Sequence, residues 1–536
     1  MSPLNNAAWR QRVAGLVDDD FGMQGRSDVQ RELLDAESVT GHLLKPHSVF
    51  AFLAVHRGEL FPDELFSDLF PSGRGRPSVP ADVMATVITL QALHGLSDSE
   101  TVDAVTFDLR WKAACGMPVT AGAFHATTLT YWRRRLAASE RPNRIFEAVK
   151  TVVAATGVLA GKTRRALDST VLEDAVATQD AMTQLIGAIR RVRREVPGAA
   201  AVVVQHCSAH DYDNPGKPAI DWDDAGARDQ LLDALVNDAH RVLAALGDQR
   251  ESRAAEAVAL LALIAGQDVE PAEGSDGTDG RWRRTSRVPA DRVISTVDPD
   301  ARRVHKSPQH AQEGFKAHVA VEPDTGIITG CALTKAGGIG THEVAVGLKL
   351  LDREPHSLTV LADAAYGSGE FRAELAARGH TDRVDPPVAR RPFKGGFTVD
   401  DFTVDHDNRT ATCPHGHTRP LSRSGAAFFG KACNDCPLRA RCTRSRTGKI
   451  LHTGPHDALN RAARRAARDP DWRSEYHRHR PMVERSIAWL TRGNRRLRYR
   501  GTTKNDHWLH HRVAAINLRR LITLGLNHTG TNWAIA

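Results

Sequence analysis

Long apolar runs are missing from this chain. No stretch of its 536 residues approaches the roughly 18 uncharged apolar residues that a membrane span requires. The opening segment, Met1 to Arg10, has no apolar core of a secretory leader, so export is not expected. A disulfide framework is missing too. The cysteines number seven, an odd count, and four crowd between positions 413 and 442, which suits a reducing, cytoplasmic compartment. There is no glycine-rich phosphate loop followed by Lys-Ser/Thr, so ATP is not implied. No internal repeat is evident. Excess charge is modest: 72 Lys and Arg against 64 Asp and Glu, a net of +8. Charged residues form 25% and apolar residues 41% of the chain, an ordinary globular mixture that excludes disordered and fibrous classes. The length exceeds one compact core, so two or three domains are expected.

The distribution of charge says more than its sum. Between Arg485 and Arg520 stand ten Lys and Arg against one acid, Asp506. Such a stripe is the electrostatic footprint of a nucleic-acid binder, or else a solvated basic helix.

Residues 1–160 read as helical. Pro80 to Gly95 carries apolar positions at helical spacing with Gly95 as C-cap, Ser97-Asp-Ser-Glu100 opens another helix, and Thr127–Leu136 is a basic helix with Arg133, Arg134 and Arg135. That order suits a DNA-binding head, or equally a bundle that packs or dimerises. From Lys162 the period changes. Strands are expected at Arg165–Thr170, Arg292–Val297, Lys316–Val321, Gly326–Leu333 and Leu358–Ala362, with a helix at His342–Leu351. Residues 172–270 return to helical periodicity, and Gly274 to Gly280 is a loop. Helices are expected around Val483–Leu490 and Trp508–Leu524. Strands mixed with helices, with acidic residues at strand ends, indicate a mixed α/β sheet.

Three carboxylates stand out. Asp168 in Arg-Ala-Leu-Asp-Ser-Thr and Asp363 in Val-Leu-Ala-Asp-Ala-Ala-Tyr-Gly close short apolar strands, and Glu484 lies in the Arg-rich helix Arg-His-Arg-Pro-Met-Val-Glu-Arg. Each alone reads as a cap, a turn former or a surface ion pair. Together, from distant strands and a helix, they are what a pair of hard divalent cations needs to act on phosphate. Nearby arginines would hold the polyanion. A second constellation is Cys413-Pro-His415-Gly-His417 with Cys433-x2-Cys436 and Cys442. Its spacing fits a structural Zn²⁺ site of Cys413, Cys433, Cys436 and Cys442, with His415 and His417 as alternative ligands, or a cluster of reduced thiols. Cys115, Cys207 and Cys331 read as small buried hydrophobes. His507, His510 and His511 read as DNA-facing or merely exposed.

These motifs resemble the DDE transposases of bacterial insertion sequences, which have a ribonuclease-H-like catalytic core. Leu-Gln-Ala-Leu-His-Gly-Leu-Ser-Asp-Ser-Glu within Ser78–Met117 is similar to the helical domain ahead of that core. Asp298-Pro-Asp-Ala-Arg302 and Gly314-Phe-Lys-Ala-His-Val are similar to the segment entering the second and third core strands. The family's third motif is Tyr-x2-Arg-x3-Glu-x6-Lys. Here Arg480 and Glu484 match it, whereas His477 holds the Tyr slot beside Tyr476, and Thr491 holds the Lys slot beside Arg492. A glycine common before the tyrosine of the second motif is Ala365.

The resemblance implies an α/β fold: a ribonuclease-H-like core over 161–525 with a helical insertion at 172–285 and a Cys-rich insertion at 388–455. An N-terminal helical domain (1–160) precedes it, and 526–536 is a tail. It implies a catalytic and metal-binding triad of Asp168, Asp363 and Glu484, with Mg²⁺, or Mn²⁺ in vitro. Arg480, Arg485, Arg492, Arg495 and Arg496 would bind DNA. Such an enzyme cuts double-stranded DNA at the element's ends and joins the 3′ ends to target DNA, as a homodimer on DNA. A nuclease without strand transfer and a decayed DNA-binding repressor are the alternatives.

Overall fold

The computed structural model describes residues 23–27, 34–247, 252–285, 289, 291–307, 310–338, 340–354, 357–493, 495–530 and 532–536. The Met1 to Arg10 segment lies outside these residues.

The first long helix of the head is α1 (Val49–Leu60), whose first turn is closed by the Ser48 side chain accepting from the Ala51 N–H. The next long helix, α2 (Ala81–His94), is buried at every position from Ala81 to Ala92. A helix surrounded on all sides needs no polar face, which is why its sequence is apolar nearly throughout. It stops at Gly95, left-handed with φ of 69°, as its sequence predicts. Ser97 and Glu100 then form a reciprocal capping box. The basic helix α3 (Thr127–Ala138) follows. Arg133 pairs with Asp98, and Arg135 lies over the Phe70 ring while donating to the Leu69 carbonyl. Arg134 faces out.

A mixed sheet forms the centre. Its strands are β1 (Arg164–Glu173), β2 (Arg302–Ser307), β3 (His310–Val321), β4 (Ile328–Lys335), β5 (Thr359–Ala362) and β6 (Thr381–Val384). The path runs β2-β3-β1-β5-β6, with β4 also pairing β3. β1 is antiparallel to β3 and parallel to β5, and β5 is parallel to β6. The β3–β4 turn closes at Gly326 (φ 74°), held by the buried Glu322 carboxylate, which accepts from Asp324 and Thr325. The expected strand at Arg292–Val297 does not form: only Val293 makes a bridge, to Arg302. Around it, Gln267 and Gln184 take up the Val293 backbone groups and Gln179 accepts from the Thr296 N–H, so side chains replace the ladder.

Helix α4 (Glu343–Leu351), capped by His342, crosses from β4 to β5. After the sheet come α5 (Pro470–His479), α6 (Pro481–Thr491) and the long α7 (Thr502–Thr523). The tail folds into a hairpin, β7 (Leu526–Thr529) with β8 (Asn532–Ile535).

One apolar core runs through the head, the sheet and α7, from Leu53 and Met84 to Phe315, Val319, Val513 and Leu521. The helices between β1 and β2 (Ala181–Glu195, Ala199–His206, Ala225–Leu246 and Ser252–Gln267) bury their own cluster. A further cluster lies on the sheet with α4, including Leu167, Leu350 and Tyr366, and residues around the Cys-rich segment bury a small one of their own, including Phe402, Phe429, Cys433 and Cys442.

Helix α7 corrects one expectation. His510 and His511 are buried, at 6% and 5% exposure, and neither is surface-facing. Arg512 of the basic stripe is buried as well. Its guanidinium donates to the carbonyls of Ala92, Leu93, Trp489, Leu490 and Arg492. Those carbonyls belong to the last turns of α2 and α6 and the residue after, where helices leave acceptors unpaired. A cation there serves packing.

Candidate active site

Strand register lines up three aspartates. Ala166 of β1 faces Leu361 of β5, so two residues on, Asp168 and Asp363 stand abreast on neighbouring parallel strands. Ala362 of β5 faces Val384 of β6, which sets Asp385 beside Asp363. The Asp385 N–H donates to the Ala362 carbonyl at 2.9 Å and fixes that step. Adjacent strands lie about 4.8 Å apart, so the row is compact and lies at the carboxyl ends of β5 and β6, where open α/β sheets place their ligands.

The aspartates are locally oriented. Asp168 accepts from the Ser169 N–H at 2.7 Å, and Asp363 accepts from the Ala365 N–H at 3.0 Å in a turn. Ser169, on the opposite face of β1, donates to Glu343, which also holds Lys316 at 2.8 Å.

Arg480 reaches into the row from the junction of α5 and α6. Its Nη2 lies 3.0 Å from Asp168 and 3.8 Å from Asp363. Arg480 keeps helical dihedrals (φ −57°, ψ −39°), while Pro481 behind it supplies no N–H and ends the first helix. It is buried, and its Nε and Nη1 have no hydrogen-bond partner. Burial opposes its charge, yet Asp168 and Asp363 push its pKa up. Burial raises the Asp168 pKa, with Arg480 pulling it back and the Asp363 charge adding to the rise. Asp385 is also raised, first by burial and then by Asp363.

Glu484 stands one turn beyond Arg480, on the same side of the helix run by its i+4 spacing. It is exposed and makes no ion pair among the described residues, so the alternative of a surface salt bridge is not realised. The structure thus joins Asp168 and Asp363 through Arg480 and leaves Glu484 exposed, without an ion pair among the described residues.

The arginines divide. Arg480 is buried against Asp168 and is not presented to solvent as a DNA contact would be. Arg485, Arg492, Arg495 and Arg496 are exposed. Arg495 and Arg496 also donate to the Val171 and Asp174 carbonyls, because their backbone extends the sheet along the end of β1.

Two neighbours escaped sequence reasoning. Asp385 ends Thr-Asp-Arg-Val, a strand with no apolar run to announce it. Tyr476, and not the His477 in the matching slot, reaches the site: its hydroxyl donates to the Ala362 carbonyl at 3.3 Å and its ring stacks on Trp472. Burial pushes the Tyr476 phenol up to about 12. His477 is exposed. Either spacing, i+3 or i+4 to Arg480, puts a side chain on that helix face.

The four clustered cysteines, all free thiols, line one small cavity of about 10 Å³ with His415 and His417. Burial raises the Cys442 thiol pKa, and the other three sulfurs lie close enough to add to it.

Two family models match the chain. Residues 45–135 match a transposase domain of the DUF772 type, and residues 412–522 match a transposase DDE domain. No curated protein and no solved structure matches significantly. The first match covers the head from α1 to α3 and the second covers Arg480, Glu484 and most of α7. With the mixed sheet between them, the two matches indicate an insertion-sequence DDE transposase.

Proposed function

We propose that this protein cuts DNA at the ends of an insertion sequence and joins the freed 3′ ends to target DNA, using Asp168, Asp363 and Glu484 to hold divalent metal, with Mg²⁺ as the physiological ion. The alignment of Asp168 with Asp363 across β1 and β5, both facing Arg480, carries this reading.

The donor set fits. Carboxylate oxygens suit hard divalent cations, and Asp363, with its side chain 46% exposed, leaves the row open to a phosphodiester. Arg480 offsets part of the charge of the two aspartates in the absence of metal. Bound metal would supply Lewis acidity at phosphorus and a nucleophile ionised near neutral pH. Asp168, fixed by β1 and the Ser169 N–H, is the rigid member, and Glu484 on α6 is the adjustable one. Arg485, Arg492, Arg495 and Arg496 would neutralise backbone phosphates, so binding should weaken steeply with salt. Strand transfer forms one phosphodiester as it breaks another and needs no external energy source. Two element ends must be held together, which favours a homodimer on DNA. Cys413, Cys433, Cys436 and Cys442 have the number and softness for a structural Zn²⁺ that stiffens the Cys-rich unit.

The test is a labelled duplex bearing the DNA that borders the gene, with Mg²⁺ or Mn²⁺, comparing wild type with Asp363→Asn. Cleavage and joining by wild type alone is expected. Cleavage without joining would make the protein a nuclease. Binding without cleavage would make it a DNA-binding repressor, and equal activity in the variant would remove Asp363 from the site.

A further inference from the structure

Far from the aspartate row, a second group of ligating side chains forms where the end of the chain meets the head. His56 and Glu59 are three residues apart on α1 and share one face. His528 comes from β7 of the terminal hairpin. One ligand atom from each of the three lies within 4.8 Å of the others.

Packing sets this geometry. Trp533 of β8 lies 4.3 Å from the His528 ring, centre to centre, and also meets Phe52 and His56 of α1 at 5.8 and 5.9 Å. His56 and His528 face edge to face at 5.5 Å with their rings at 69°, so neither stacks on the other. The His56 Nδ1 is buried and has no hydrogen-bond partner. A buried ring nitrogen without a partner costs free energy unless something takes it up. Glu59 is exposed, so the cluster opens to solvent on one side.

We infer that His56, Glu59 and His528 form a binding site for a transition-metal ion, Zn²⁺ in the cell, that clamps the terminal hairpin onto the first long helix of the head. Two imidazoles and one carboxylate are a zinc donor set, with the solvent side left for a water as fourth ligand. Imidazole nitrogen selects zinc-like ions over Mg²⁺, which demands oxygen. This site therefore takes a different metal class from the aspartate row. Bonds of about 2.05 Å in a tetrahedron put ligand atoms about 3.3 Å apart, a contraction from the observed spacing that side-chain rotation supplies.

The experiment strips full-length protein with chelator, then adds Zn²⁺ and counts bound equivalents in wild type, His528→Gln and Glu59→Gln, each with Cys433→Ser as a parallel background. His528→Gln should lose one zinc equivalent relative to its parent in both backgrounds, and Glu59→Gln should weaken that equivalent about 10- to 100-fold. Co²⁺ in the same site should give a visible spectrum without thiolate charge transfer, and His528→Gln should abolish it. Exposed Glu59 guards against a folding artefact, since its substitution leaves the hairpin packing intact. Equal zinc counts and affinities in wild type, His528→Gln and Glu59→Gln would overturn the assignment. So would a Cys433→Ser background in which His528→Gln removes no further equivalent.

Discussion

Arg480 sits against two carboxylates, Asp168 and Asp363, whose other donors among the described residues are backbone N–H groups. With its guanidinium 3.0 Å from Asp168, it lets the aspartate row fold charged in a partly buried place. Removing one member of a buried ion pair strands the other. Arg480→Gln should therefore lower metal-free stability by about 2 kcal/mol, of the order expected for charged hydrogen bonds, read by denaturant titration. Adding Asp168→Asn should restore part of the loss, and added Mg²⁺ should raise the melting temperature more in the single variant than in wild type. An Arg480→Gln protein as stable as wild type would show that the pair carries no net free energy. At this scale the sequence was readable where an acid follows a short apolar run, although Asp168 lies within β1, which continues to Glu173, and only Asp363 follows the end of its strand. Asp385 was not readable, because Thr381–Val384 is polar and edge-lying and is recognised only through its pairing with β5. Tyr476 was not readable because spacing alone cannot choose between adjacent residues on one helical face.

Among the elements, α7 shows why charge pattern and exposure part company. Its histidines and Arg512 look like a surface stripe in one dimension, yet the helix is enclosed by α2, the sheet and α6. The reading missed this because the compensating acceptors, helix-end carbonyls, belong to every sequence and leave no mark in this one. Arg512→Met should cost about 3 kcal/mol, since carbonyls of two helix ends lose their donors at once; a thermal melt measures it. His511 offers a pH test. Burial lowers its pKa from 6.5 to about 3. Above pH 6.5 the ring is neutral in both folded and unfolded chains and stability does not change. Below that, only the unfolded chain takes up the proton, so the unfolding constant should rise by up to about tenfold per pH unit towards pH 3. His511→Phe should flatten that acid limb; an unchanged slope would assign acid lability to other groups.

On the scale of the whole molecule, the head and the sheet share one core, while the helical insertion and the Cys-rich unit each bury their own. Calorimetry should therefore show head and sheet unfolding in one transition, with the helical insertion free to unfold separately. A separate melt of the head would contradict the shared core. The order of helical head, interrupted sheet and final helices was legible from periodicity. Their fusion was not, because α2 and α7 meet across more than four hundred residues, as the Ala92 carbonyl and Arg512 do.

Arg480 and Asp168 are 312 residues apart in the chain. At about 5–20 residues per second of synthesis, Asp168 leaves the ribosome about 15–60 seconds before its partner exists. For that interval the strand carries an acid without its guanidinium partner. The aspartate row is thus completed by a residue made long after its first member, and a chain stopped before Arg480 cannot assemble it.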